Sequence, residues 1–297
     1  MDRPVALVTG GTGGIGYHVA LGLAAKGMRV FITGRNAARA SLAAEELRRQ
    51  TGRADVEPFV GDLALISENA GLARRLAERA GRLDILINNV GGLYAVRQDT
   101  AEGLERTLAV NFLGPLALGL ALSDLLAAQG GATVVNVISS SYKMSRGDPF
   151  QDLPSCTGYV GIDAHARAKR LNLLASLALA RRWQGNNVKV NTVNPGMAWT
   201  SLTQGLTPEA VPAWRYIWPV VRFFQRRASP SKAALGPLAL ATPSAPGLTG
   251  RYFDGLKEQT LEPDLLDGAE QERALDLAEA CLRGSIPDVL RNKELKP

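Results

Sequence analysis

Histidine and cysteine are scarce in this chain: its 297 residues hold two of each, and aromatic side chains make up 6%. Cys156 and Cys281 stand far apart, without the paired spacing of a metal site or a disulfide framework. The thiols are expected to stay reduced, as in a cytoplasmic protein. No run of about 18 apolar residues occurs, so no membrane span is expected. Met1-Asp2-Arg3-Pro4 leads straight into a strand-like segment, without the regions of a signal peptide. Low-complexity tracts, internal repeats and Gly/Ser linkers are also missing, which favours one domain over residues 1–297. The net charge of +6 comes with no basic stripe and no recognition motif. It reads as a solvated surface, at most helping to draw in an anionic ligand, and no nucleic-acid partner is expected.

What is present is an alternation. Short apolar segments at 5–8, 30–33, 56–60, 85–88, 134–138 and 188–193 have the character of strands. Stretches with helical periodicity lie between them, such as 21–26, 38–49 and 72–80. Strand, helix, strand repeated in this way predicts an α/β fold, a doubly wound parallel sheet of Rossmann type with helices on both faces. Two stretches break the rhythm: a polar, Pro/Gly-containing segment at 142–157, and residues 199–227. The latter carry Trp199, Trp214, Tyr216, Trp218, Phe223 and Phe224, and are expected to form a lid over the substrate. Open α/β sheets keep their ligands at loops of this kind. Core packing or a dimer contact would use the same aromatic residues.

The first strand runs into Thr9-Gly10-Gly11-Thr12-Gly13-Gly14-Ile15-Gly16, ahead of a helix. Glycine at 10 allows a tight turn, at 14 lets main chain approach a pyrophosphate, and at 16 lets the helix pack on the sheet. The helix start offers free amides and a positive dipole end to phosphates. The second strand ends at Thr33-Gly34-Arg35, where an NAD site would place an acidic residue; the next one is Glu45. Arg35 suits a 2′-phosphate, so NADP(H) is expected over NAD(H). Arg35 stacked on adenine is the plainer alternative.

Together these motifs resemble the short-chain dehydrogenase/reductase family along nearly the whole chain. The resemblance implies that Asp62-Leu63 contacts adenine and that Asn88-Asn89-Val90-Gly91 stands for the family's Asn-Asn-Ala-Gly element. It also implies that Asn111 holds a catalytic water, unless it merely braces helix backbone. Asn136-Val137-Ile138-Ser139 matches the strand that ends in the carbonyl-binding serine, and Asn194-Pro195-Gly196 with Thr200 matches the loop that grips the nicotinamide amide. Lys169 would hold the nicotinamide ribose. The segment before the active-site helix, the phrase Lys169-Arg170-Leu171-Asn172 and the tail Gly250-Arg251-Tyr252-Phe253 look like the retinol-dehydrogenase branch. The family pairs through its long helices, so a homo-oligomer is expected.

One departure is severe. Where the family has Tyr-x-x-x-Lys, this chain has His165-Ala166-Arg167-Ala168-Lys169. Tyr159 is too far from Lys169 to share its helical face. His18 is expected to be structural, and Asp163 to cap the helix of His165. Hydride addition to a carbonyl builds negative charge on oxygen that must be stabilised and protonated. A histidine beside Lys169 would be largely neutral near pH 7. Three readings stay open. A phenol next to the ketone supplies the proton, as in atypical ketoreductases of antibiotic biosynthesis that act on aromatic polyketides, including the angucyclinone kind. His165 acts as the acid, directly or through water. Or the scaffold has given up redox chemistry for cyclisation, isomerisation or binding.

Overall fold

The structure is a computed structural model describing residues 3–284, apart from 54, 129, 146, 156 and 243–246. Cys156 therefore lies outside the described residues. One eight-stranded sheet runs in the order β3-β2-β1-β4-β5-β6-β7-β8. Its strands are β1 (Val5–Val8), β2 (Arg29–Gly34), β3 (Val56–Val60), β4 (Ile85–Asn88), β5 (Ala132–Val137), β6 (Val188–Asn194), β7 (Tyr252–Asp254) and β8 (Lys257–Gln259). β1, β4 and β5 are buried at every position, which is why they read as unbroken apolar runs.

Leu7, Phe31, Leu86 and Val134 turn to one face of the sheet; Ala6, Val8, Ile32, Ile87 and Val135 turn to the other. Helices α1 (Gly14–Ala25) and α2 (Ala37–Thr51) flank the second core. Helix α3 (Ile66–Ala80) flanks the first, with the long helix Gly161–Arg182. The Asn36 side chain caps α2 by accepting from the Arg39 amide, and left-handed glycines, Gly52 and Gly81, end α2 and α3. Strand order reverses direction between β1 and β4, and the crevice at such a switch point is where the loops of the site converge.

The parallel pattern ends at β7. β8 turns back antiparallel, Tyr252 opposite Gln259, a hairpin absent from the expected strands. Each strand is three residues long and only Tyr252 is buried, too little for periodicity to show.

A further helix, Gly268–Leu282, packs on the long helix. Asp267 caps it, and it lies across Gly161–Arg182 and the helix Gly114–Ala121, burying Ala274, Leu275 and Ala278. Arg181 and Arg182 clamp it through Glu272, and Arg182 also pairs with Glu279. The long-helix surface through which a homo-oligomer was expected is thus covered by the chain's own tail. Pairing there would have to displace that helix and re-expose Leu275, at a cost of about 2 kcal/mol for this one side chain.

Candidate functional site

A cavity of about 670 Å³ opens at the carboxyl ends of the strands. It is of a size usual for small-molecule and cofactor sites. Every expected site residue but one borders it. Gly10, Thr12, Gly14 and Ile15 come from the loop after β1, Arg35 from the end of β2, and Asp62 and Leu63 from beyond β3. Asn89, Val90 and Gly91 follow β4; Asn111, Ser139, His165 and Lys169 stand at the centre; Pro195, Gly196 and Thr200 follow β6. The exception is Gly16, which does not reach the wall. A Cβ there would lie 2.5 Å from the Gly10 carbonyl oxygen, so this glycine serves packing and does not touch a ligand.

The glycine loop is held by Thr9, whose hydroxyl accepts from the amides of Asn89 and Val90. Gly10 and Gly14 have φ of +66° and +56°, and a Cβ at 14 would sit 2.8 Å from the Thr200 methyl. A Cβ at Gly13 would meet nothing within 4 Å. No side chain caps the start of α1, which leaves its first amides to a ligand. A pyrophosphate fits such a cradle. At the far end Arg35 is joined by Asn36 and by Arg39. Arg39 was missed from sequence, although its spacing from Arg35 matches one helical turn. Two guanidinium groups facing one end of a cavity suit a phosphate monoester better than an unsubstituted ribose. Beside them Asp62 pairs with Arg106 at 2.6 Å, and Arg106 Nε donates to the Tyr94 hydroxyl at 3.3 Å.

His165 and Lys169 share one face of the helix Gly161–Arg182, both buried. Lys169 Nζ donates to the Val137 carbonyl at 3.1 Å, and burial lowers its pKa to about 8. Burial, and then the charge of Lys169, lower the pKa of His165 to about 3. His165 is therefore a neutral imidazole at neutral pH. Its Nδ1 lies 3.0 Å from the Ser141 hydroxyl, a partner that sequence reasoning did not single out. The Ser139 hydroxyl accepts from the Ser141 amide, capping the turn Ser140–Met144, and the residue borders the cavity.

Asn111 is a bracing residue. Its side-chain amide donates to the carbonyls of Gly92 and Thr107 and accepts from the Gly92 amide, within a π-helical turn, Ala109–Leu113. Its carbonyl accepts from Asn172. A buried chain continues from there: Ser176 donates to the Asn172 carbonyl, Asn136 donates to Ser176, and Asn88 donates to Asn136. These bonds lock β4, β5 and the helix of His165 in register behind the site. Asp163 does not cap that helix; it is an exposed first-turn residue, and Val160 holds the cap position without a side-chain bond. Tyr159 lies outside the helix and off the cavity, bonded to Thr107 at 2.8 Å, with burial raising its pKa to about 12.

Leu93, Met144, Ile162, Leu202, Leu206 and Val211 line the remaining, apolar end. Among the described side chains of 199–227, the aromatic ones do not, and the Trp214 side chain lies outside the described ones. Trp199 and Trp218 lie against the Arg222 guanidinium, while Tyr216, Phe223 and Phe224 face outward. Of that segment Thr200, Leu202, Thr203, Leu206, Val211 and Gln225 reach the cavity.

Residues 4–148 match the family model described as short chain dehydrogenase. Human retinol dehydrogenase 14 is 33% identical over 297 residues, covering 94% of this chain and 86% of its own. A protein provisionally named daunorubicin C-13 ketoreductase, from Streptomyces sp. (strain C5), is 32% identical over 67% of each chain. Among solved structures, an NADPH-dependent reductase involved in bacilysin biosynthesis superposes with a TM-score of 0.67 at 21% identity, over 87% of this chain and all of its own, which speaks for the fold. One provisionally described as an NAD(P)-dependent gluconate 5-dehydrogenase, from Beutenbergia cavernae with NADP bound at low occupancy, has a TM-score of 0.66 at 26% identity, over 86% and 95%.

Proposed function

This chain belongs to the short-chain dehydrogenase family and is an oxidoreductase; on that footing we propose that it is an NADPH-dependent ketoreductase of flat, aromatic ketones, polyketide-like in character. The proton comes from a phenol of the substrate or from water. The observation that carries this reading is His165, a buried neutral imidazole bordering the cavity at the place of the family's tyrosine.

The residues that would hold the cofactor follow the strand ends. Gly10–Gly14 and the start of α1 hold its pyrophosphate, Arg35 and Arg39 its 2′-phosphate, and Asp62 with Leu63 its adenine. Lys169 holds the nicotinamide ribose; Asn89, Val90 and Gly91, with Pro195, Gly196 and Thr200, bound its nicotinamide half. When bound, the reduced nicotinamide supplies the hydride. Ser139 donates a hydrogen bond to the ketone oxygen, and Lys169 raises the local positive potential on which a developing alkoxide depends. If the Ser141 hydroxyl donates to His165 Nδ1, the other imidazole nitrogen carries a proton and is left as a neutral donor. A neutral imidazole orients and does not acidify. A phenol beside the ketone supplies the missing acidity by an internal hydrogen bond, and the name of the Streptomyces relative supports a polycyclic aromatic ketone. The apolar end of the cavity, with residues 199–227 as its cover, suits such a ligand.

Single-turnover consumption of NADPH tests this, using paired ketones that differ only by a hydroxyl next to the carbonyl. The phenolic ketone is expected to react about 10² to 10⁴ times faster, the span one general acid is worth. His165→Ala is expected to leave that reaction within about threefold, less than 1 kcal/mol. Loss of all hydride transfer in that variant would sink the proposal. For the cofactor, changing Arg35 and Arg39 together to serine is expected to raise the KM for NADPH by about 10 to 100-fold, with NADH unchanged. Equal effects on both cofactors would remove the 2′-phosphate from the argument.

A further inference from the structure

Residues 212–227 turn the usual surface helix inside out. The helix Trp218–Arg227 follows the turn Pro212–Ile217 and points its apolar side chains at solvent. Tyr216, Ile217, Val220, Phe223 and Phe224 are exposed by 81%, 52%, 56%, 50% and 59%. Their spacing of three and four places them on a single stripe. Toward the protein the helix presents polar groups: Gln225 is buried against the cavity wall, and Arg222 donates to the carbonyls of Thr203 and Gln204. Arg215 and Arg226 are exposed beside the stripe, the exposed Arg227 lies on it with its guanidinium over the Phe223 ring, and no acidic residue occurs between Glu209 and Asp254.

We propose that this stripe docks the protein on the surface of an anionic lipid bilayer, with the aromatic and aliphatic side chains in the headgroup boundary and the arginines on the phosphates. A helix with bulky apolar residues on one face and arginine around it has the make-up of an in-plane membrane element, not of a span. Among the described residues no helix is long and apolar enough to cross a membrane. Lipid is favoured by two features. Self-pairing through the stripe would bring two sets of arginines together without a carboxylate between them. The Arg227 guanidinium also lies over the Phe223 ring, so positive charge and aromatic surface meet on the stripe, a pairing that suits an anionic headgroup boundary.

Its position adds a use: the same segment lines the apolar end of the cavity through Leu202, Leu206 and Val211. An apolar ligand held in the bilayer would enter beside the docked helix. The surface stands independently of the reaction proposed above, because binding is read without turnover.

Co-sedimentation of the full chain with phosphatidylcholine vesicles, with and without phosphatidylserine, tests it. Binding is expected only where phosphatidylserine is present, and to weaken as salt rises. Phe223→Ser with Phe224→Ser, and separately Arg226→Glu with Arg227→Glu, are each expected to lower the partition constant by about tenfold or more. Both pairs are exposed, so an unchanged circular dichroism spectrum and thermal midpoint separate lost binding from lost fold. Absent binding to the anionic vesicles, or equal binding by the variants, overturns the proposal. So does a concentration-dependent dimer in light scattering that the Phe223 and Phe224 changes abolish, which would assign the stripe to a second copy. Retention on immobilised polyglutamate without vesicle binding would assign it to an acidic protein instead.

Discussion

Replacing His165 by tyrosine is expected to raise the rate of hydride transfer to ketones that lack a neighbouring hydroxyl by about 10² to 10⁴. That is roughly 3 to 5 kcal/mol off the barrier. The reason is local. The helix already presents Lys169 one turn after position 165, and Ser139 already borders the same cavity. A phenol at 165 would be drawn toward the phenolate by the buried lysine ammonium and could donate its proton to the alkoxide. Histidine cannot, because its imidazole is neutral through the working range, with a pKa of about 3. The gain should be confined to non-phenolic ketones, since a substrate that brings its own acid has less to win. Single-turnover rates of the His165→Tyr protein on the paired ketones measure both halves. No gain on the plain ketone would show that the proton is not what limits this site.

The second large effect is on stability in acid. His165 titrates at about 6.5 in an unfolded chain and at about 3 in the folded one, because burial and Lys169 disfavour its cation. Below pH about 6.5 the unfolded state binds a proton that the folded state refuses, so folding stability falls with falling pH. The slope from this one group is about 1.4 kcal/mol per pH unit down to about pH 3. Over that window the loss is of the order of the lower end of domain stabilities, about 5 kcal/mol. Urea unfolding midpoints of the wild type and of His165→Leu, followed from neutral pH to pH about 4, give the comparison. The variant should lose stability more gently, by that slope; parallel curves would mean that position 165 stays neutral in both states or is solvated when folded.

The site was legible wherever function constrains the main chain. Gly10 and Gly14 stand at positive φ, and Asn89 and Thr9 tie two loops, because a cradle needs small residues and specific turns that survive in the letters themselves. Arg39 and Ser141 were illegible for another reason. Each matters only because a turn carries it next to Arg35 or His165, and nothing about an arginine or a serine alone announces that. Asn111 shows the limit in the opposite direction. The residue was found, yet whether its amide holds water or backbone depended on a π-helical turn that no periodicity reveals.

The sequence alone determined the doubly wound sheet, the glycine-rich loop after the first strand and the histidine four places before Lys169, because strand burial, glycine placement and residue identity are one-dimensional properties. Only the tertiary structure decided which way Tyr216, Phe223 and Phe224 face, and that the helix Gly268–Leu282 covers the long helix Gly161–Arg182. Both depend on which of two possible faces finds a partner, and a helical stripe looks the same in sequence whether the protein or its surroundings cover it.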